Sequence, residues 1–395
     1  MKIAIVCSNY FNISQETANG TAIFDYSLIT NLVKHTKTKN LTITAFASGA
    51  SQLPVKVESV DVNPSSSNED LIVTGKNVLY ELALLSKAFS LQEQFDLFHI
   101  NIGDGDLALP FYPFVKKPIL ITLHHILDKE FIRRYFSLYQ QSPNVFFISA
   151  SNAQRKLLPD LNYLTTIYHG VDTNIFQFNS TGGASIMWAG RAIPEKGLDL
   201  VVEVADRVKQ ETKLFGIHRK EHQAWLKKTV LDKINVTNRP VPISLEMGLQ
   251  RLQLVEYFQT SKLFLFPVSY EESFGLVLIE AMSCGTPVVT FAKGSIPEII
   301  KDGETGFIVN SSNEDIRGDW IIKKTGVEGL IEAVERIYSM PEDKYLAMRK
   351  ACLSRVEKHF TIEKMVENYI QAYKTVRRGG LANKATTTEK TAWEK

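Results

Sequence analysis

The chain has 395 residues, too many for one ordinary domain and about right for two. Apolar residues make up 44% of it and charged residues 22%, which excludes a largely disordered protein. Lys and Arg number 45 against 43 Asp and Glu, a formal net charge of +2, so no nucleic-acid partner is expected.

Three scattered cysteines, Cys7, Cys284 and Cys352, form no CxxC pair; they fit a reducing compartment and offer neither a disulfide framework nor a zinc site. The N-terminal run Met1-Lys2-Ile3-Ala4-Ile5-Val6-Cys7 is too short for a signal peptide and reads as a first β-strand. No stretch approaches the ~18 apolar residues of a membrane span, and a cytoplasmic location is expected.

Short apolar runs alternate with helical patterns along the chain, which is the mark of parallel α/β architecture. Strands are expected at 2–7, 41–47, 96–100, 118–123, 144–149 and 164–168. Ala22, Tyr26, Ile29 and Val33 share one helical face after the start signal Asn19-Gly20, and Val78, Leu82, Leu85 and Phe89 share another. A further helix is expected near 128–141. A polar linker at 177–183 interrupts the pattern, which then restarts. Strands follow at 185–189, 213–217, 241–245, 262–267, 287–291 and 306–309, with a helix stripe of Leu198, Val201, Val202, Ala205 and Val208. Ile362, Met365, Tyr369, Tyr373 and Val376 mark a closing helix, and 380–395 reads as a disordered tail. The restart implies two similar sheet domains with a cleft between them, where such folds bind nucleotides.

Three segments carry chemistry. Pro267-Val268-Ser269-Tyr270-Glu271-Glu272-Ser273-Phe274-Gly275-Leu276 leaves a strand and enters an apolar helix containing Glu280. A carboxylate among Leu276, Val277, Leu278, Ile279 and Met282 needs a partner. The N–H groups at Phe274, Gly275 and Leu276 would favour an anion or sugar oxygens. Eight helical residues would hold Glu272 and Glu280 roughly 12 Å apart, beyond a glycosidase acid/base pair, so two grips on one extended ligand are expected. A helix-capping glutamate plus a buried ion pair is the plainer alternative.

The second segment, Gly190-Arg191-Ala192-Ile193-Pro194-Glu195-Lys196-Gly197, sets a guanidinium and an ammonium beside a helix start. That pairing suits a diphosphate, although R-x4-K on a surface loop is more often solvated charge. The third signal is histidine. His124-His125 follows one strand and His99 lies on another, so both are expected to open toward the crevice, and His169 stands in His169-Gly170-Val171-Asp172. The adjacent histidines diverge too far to bind zinc together. Phe131-Ile132-Arg133-Arg134-Tyr135-Phe136-Ser137-Leu138-Tyr139 reads first as a core stripe with two solvated charges. It also has the composition of an interfacial helix, which would give weak peripheral contact with a membrane.

In order and spacing these pieces resemble the retaining GT-B glycosyltransferases of the group-1 family, family 4. The carriers are His169-Gly170-Val171-Asp172 with Phe176, Gly190-Arg191 with Glu195-Lys196-Gly197, Glu272 and Glu280 with Phe274-Gly275 between them, and Cys284-Gly285-Thr286-Pro287-Val288-Val289. Pro297-Glu298, Asp302-Gly303 and Thr305-Gly306 complete the set. The resemblance covers roughly residues 1–375 and is strongest from 169 to 310.

It implies a GT-B fold: an acceptor-side Rossmann-like domain over 1–176, a nucleotide-sugar donor domain over 184–358, and a helix at 361–379 returning to the first domain. Arg191 and Lys196 would hold the diphosphate of a nucleotide-sugar donor. Glu272 and the backbone of Phe274, Gly275 and Leu276 would hold sugar hydroxyls, and Glu280 the ribose. His124 would stand near the sugar, and Gly20 would face the diphosphate or acceptor. A hexosyl unit of a UDP- or GDP-sugar would pass with retention to a hydroxyl of a glycan, lipid-linked or small-molecule acceptor. No cofactor or metal is expected, since no DxD-type carboxylate pair accompanies the loops at 190–197 and 267–282. Another GT-B enzyme, such as a sugar phosphorylase or nucleotide-sugar epimerase, and a non-catalytic nucleotide-sugar binding module are the alternatives.

Overall fold

The computed structural model describes residues 1–17, 19–36, 41–236 and 239–379; the tail at 380–395, expected to be disordered, lies outside them. Seven parallel strands form the first sheet: β1 (Lys2–Val6), β2 (Thr42–Phe46), β3 (Lys56–Glu58), β4 (Leu97–Ile100), β5 (Ile119–Leu123), β6 (Val145–Ser149) and β7 (Tyr163–Thr166). Six form the second: β8 (Ser185–Arg191), β9 (Thr212–Ile217), β10 (Ile243–Met247), β11 (Ser261–Phe266), β12 (Val288–Phe291) and β13 (Gly306–Val309). The first sheet runs β3-β2-β1-β4-β5-β6-β7 and the second β10-β9-β8-β11-β12-β13. In each, strand order reverses beside the domain's first strand, so the crevices lie beyond the carboxyl ends of β1 and β4 and of β8 and β11.

The interior strands β5, β6 and β12 are buried along their length, as parallel strands covered by helices on both faces must be. Strand β3 has no counterpart in the sequence reading. Its three residues are too few to display a period, and pairing with β2 alone defines it.

The chain crosses between domains twice, and the crossings lie together. The Val171 N–H donates to the Phe360 carbonyl at 2.8 Å, and the Ile362 N–H to the Val171 carbonyl at 3.2 Å. A Cβ on Gly170 would stand 2.6 Å from the Thr361 carbonyl oxygen, so only glycine permits this approach. Past the crossing, helix Ile362–Arg377 buries Met365, Val366, Tyr369, Tyr373 and Val376 in the first domain's core beside Ile3, Ile5 and Leu28.

The polar segment at 177–183 is held rather than free. From helix Glu342–His359 the fully buried Arg349 guanidinium donates to the carbonyls of Asn179 at 2.7 Å, Cys284 at 3.1 Å and Gln259 at 3.2 Å. A buried cation is tolerable here because carbonyl oxygens surround it.

Candidate active site between the domains

Two loops at the carboxyl ends of β8 and β11 are pressed together. Gly197 adopts φ +68°, and a Cβ there would stand 2.2 Å from the Pro267 carbonyl oxygen. The Ser269 N–H donates to the Glu195 carbonyl at 3.0 Å, and Trp188 Nε1 to the Lys196 carbonyl at 3.1 Å. This contact brings Lys196 onto the other loop. Its Nζ lies 2.9 Å from Glu272 Oε2, hydrogen-bonds to the Tyr270 hydroxyl, and sits over the Phe266 and Tyr270 rings at 4.9 and 4.8 Å. The Tyr270 hydroxyl donates to the same carboxylate oxygen at 2.5 Å.

Burial works to raise the Glu272 pKa, but the Lys196 charge and the hydrogen bonds from Tyr270 and Lys196 hold it below its ordinary value. Burial, then the adjoining Glu272 charge, push the Tyr270 hydroxyl upward. Arg191, the last residue of β8, faces this group and acts electrostatically on Tyr270 and on His125 of the opposite domain. The structure thus brings Arg191, Lys196 and Glu272 together, with Tyr270 as a fourth member to which the sequence reading gave no role.

A third loop fixes the entry to the following helix, Leu276–Ser283. A Cβ on Gly294 would stand 2.2 Å from the Glu272 carbonyl oxygen. The Ser295 N–H donates to that carbonyl at 2.9 Å, and the Ser295 hydroxyl to the Phe274 carbonyl at 2.9 Å. Gly275 takes φ +88° and the helix begins at Leu276, so Phe274 and Gly275 precede it.

Glu272 therefore lies on a loop, and the expectation of eight helical residues between Glu272 and Glu280 is corrected. Each carboxylate has its own cation. Glu280 Oε1 accepts from Arg251 Nε at 2.6 Å, and the Arg251 guanidinium stands 4.8 Å from the Phe176 ring centroid. Sequence inspection required a partner for Glu280 but could not name one that is 29 residues away.

Across the cleft, Asp104 turns the histidine pair after β5. Its Oδ1 accepts from the N–H groups of His124 at 2.7 Å and His125 at 2.9 Å, while Oδ2 lies 3.0 Å from His125 Nδ1. Asp104-Gly105-Asp106 is itself a D-x-D spacing, and this Asp104 carboxylate is taken up by the pair. The hydrogen bond to Asp104 raises the His125 pKa.

His124 points inward against Phe24, with ring centroids 5.0 Å apart, and stacks on His169 at 6.0 Å. His169 also meets Phe274, on the loop before helix Leu276–Ser283, at 4.9 Å. Neither His124 Nε2 nor His169 Nδ1 has a hydrogen-bond partner among the described residues. Burial drives both pKa values down, that of His169 to about 4 and that of His124 well below its ordinary value, so both rings are neutral at pH 7.

His99 does not open toward the crevice. Tyr373 and Thr122 lie within hydrogen-bond distance of its Nδ1 and Nε2, at 2.8 and 2.7 Å, and it is fully buried. The returning C-terminal helix covers it, a contact that no pattern local to β4 reveals. Gly20 begins helix Gly20–Thr36, capped by Asn19 Oδ1, which accepts from the Thr21 N–H at 3.0 Å. A Cβ on Gly20 would meet nothing within 4 Å among the described residues, so packing does not demand glycine there.

Helix Glu130–Ser137 corrects the core-stripe reading. Phe136 is buried, but Phe131 is 69% and Leu138 74% exposed, and both line an open groove of about 710 Å³ with Lys129, Arg134 and Tyr135. Among the described residues no helix is long and apolar enough to cross a membrane, and no three His, Cys, Asp or Glu side chains group as metal ligands.

Residues 172–323 match the family model described as Glycosyl transferases group 1. The chain is 27% identical over 202 residues to an uncharacterized glycosyltransferase of Methanocaldococcus jannaschii, across 50% of this chain and 55% of that one. It is 29% identical over 179 residues to a D-inositol 3-phosphate glycosyltransferase of Mycolicibacterium smegmatis, across 41% of this chain and 39% of that one. The chain thus spans 55% and 39% of the lengths of these two curated relatives.

Among solved structures, sucrose-phosphate synthase from Thermosynechococcus elongatus superposes with a TM-score of 0.73 at 17% identity, over 96% of this chain and all 100% of that one. HepE of Anabaena, solved with UDP and glucose, gives 0.71 at 17% identity, over 95% and 100%. Two facing Rossmann-like domains with such neighbours define the GT-B fold class. Within that class, the group 1 glycosyltransferase match lies in residues 172–323, and both curated relatives are glycosyltransferases.

Proposed function

We propose that the protein transfers a hexosyl unit from a nucleotide diphosphate sugar, a UDP- or GDP-sugar, to an acceptor hydroxyl with retention at the anomeric carbon. The observation that carries this reading is the joint placement of Arg191, Lys196, Tyr270 and Glu272 at one strand switch point, facing His125 across the cleft. Without donor, Lys196 and Glu272 satisfy one another. A diphosphate would draw Lys196 and Arg191 to its oxygens and leave Glu272 free to accept hydrogen bonds from sugar hydroxyls. The N–H groups around Phe274, Gly275 and Leu276 face the same ligand. Glu280, paired with Arg251, would accept from the ribose hydroxyls.

Charge develops on the departing diphosphate in the transition state, so cations already aimed there stabilise it more than the ground state. The leaving phosphate oxygen takes the acceptor proton, and the neutral His124 ring adds no competing positive charge beside the sugar. With Arg191 and Lys196 answering the diphosphate charge, we propose that transfer needs no metal. The reading carries a cytoplasmic location. Exposed Phe131 and Leu138 beside Lys129 and Arg134 support weak peripheral contact with an anionic membrane, checked by sedimentation with anionic liposomes.

The deciding experiment is a panel of nucleotide sugars, UDP-glucose and GDP-mannose among them, scored by release of nucleoside diphosphate, with Glu272→Ala as control. Donor-specific release, lost in the control and unaffected by EDTA, is expected, and NMR of the product should show the donor's anomeric configuration. Equal release by wild type and control overturns the assignment.

A further inference from the structure

Opposite the donor cluster, a second cavity opens where strand order reverses in the first sheet. It holds about 250 Å³ and is walled by the loop after β1, the first turn of helix Gly20–Thr36, helix Val78–Ser90 and the segment after β4. His125 forms part of its rim, and the same ring feels the charges of Arg191 and Glu272, so the cavity's mouth lies near the cluster on the second domain.

Two carboxylates from distant parts of the chain meet in its wall. Asp25, 1% exposed, accepts from Asn101 Nδ2 at 2.7 Å. Glu81, 6% exposed, accepts from the Ser8 hydroxyl at 2.5 Å and the Asn9 N–H at 3.0 Å. Asn101 is fully buried, and its Oδ1 has no hydrogen-bond partner among the described residues. Tyr10 and Phe11 add aromatic surface. Among the described lining residues the ionisable groups are Asp25, Glu81, Tyr10 and His125, with no Lys or Arg.

We infer that this cavity receives the acceptor as an uncharged, hydroxyl-rich sugar ring bearing no phosphate where it enters. This deepens the transferase reading and rests on it for the word acceptor. A carboxylate has about four acceptor positions, so each can take ring hydroxyls in addition to its protein donors. The aromatic surface suits the C–H face of a pyranose. A phosphate dianion would find no Lys or Arg in the described wall, and the one imidazole there, His125, is already engaged by Asp104, so its charge would go unanswered. Burial holds both carboxyls above their ordinary pKa values, in keeping with a site that bonds neutral hydroxyls.

Binding can be tested apart from catalysis. Saturation-transfer NMR would compare neutral hexoses and disaccharides with their 6-phosphates, with and without UDP. The expected result is transfer to at least one neutral sugar, at least tenfold weaker for its phosphate and lost in Glu81→Gln. Tyr10→Ala, on the half-buried rim, serves as a second variant, with calorimetric UDP affinity as the check that either variant folds. The inference is overturned if no neutral sugar receives saturation, if a phosphorylated sugar binds as well, or if both folded variants bind like wild type. Failure of the donor panel with neutral sugars still binding would instead sink the transferase reading alone.

Discussion

Replacing Arg251 by Met would leave Glu280 buried among apolar side chains with its cation removed. Removing one member of a buried pair typically costs 3–5 kcal/mol, because the remaining charge is no longer answered. Arg251 keeps some access to water, its side chain being 19% exposed against 6% for Glu280, so the lower end, about 3 kcal/mol, applies. For a domain of this size that corresponds to a fall in Tm of roughly 6–12 °C. Most of the loss should return in Arg251→Met/Glu280→Gln, which retains the shape and discards the buried charge. Calorimetric unfolding of wild type, both single variants and the double variant closes the cycle, and UDP titration of the same samples reads out ligand binding. Glu280→Gln alone should weaken UDP binding severalfold if that carboxylate holds the ribose; unchanged affinity would confine it to the ion pair. A loss below about 1 kcal/mol in Arg251→Met, or a double variant as unstable as the single, would refute the argument that charge burial governs this site.

Lys196→Ala should reduce turnover by two or more orders of magnitude and, because it leaves the buried Glu272 carboxylate without its cation, should also lower Tm by several degrees; near-normal steady-state rates would remove Lys196 from the diphosphate site. Gly294→Ala should destabilise the donor-side loop and lower UDP affinity, since its Cβ would enter the space of the Glu272 backbone; wild-type affinity by calorimetry would contradict this. Acid should destabilise the fold from about pH 6.5 downward, because unfolding lets His99, His124 and His169 take up protons that their buried native sites refuse. His169 alone, depressed to about 4, contributes on the order of 3 kcal/mol that is present above its unfolded pKa and lost as pH falls toward its folded one. Asp25 and Glu81, raised by burial, titrate in the opposite sense, so the comparison that isolates His169 is wild type against His169→Gln. The variant should show a shallower fall of Tm between pH 6.5 and 5, and parallel curves would count against a neutral buried ring.

Local pattern carried much of the architecture. Apolar runs of strand length, spaced by helical stripes, placed twelve of the thirteen strands, because a parallel strand covered on both faces must be apolar throughout. The glycines at 197 and 275 and the charged residues beside them marked strand-end loops, since close backbone approach and positive φ leave few other choices, whereas the close approach of Gly294 to Glu272 shows only in the fold. The chemical types that the proposed diphosphate and sugar contacts would use were therefore visible in residue order.

Which group answers which could not. Lys196 meets Glu272 across 76 residues, Arg251 meets Glu280 across 29, and His99 is covered by Tyr373 across 274. Asp25 and Glu81 share a cavity only because helices Gly20–Thr36 and Val78–Ser90 both pack beside β1. Phe131 and Leu138 look like core side chains in a linear pattern, yet packing leaves them at the surface. Hydrophobic period determines which face of an element turns inward; the partner, charge state and accessibility of a side chain depend on neighbours that only the folded chain assembles.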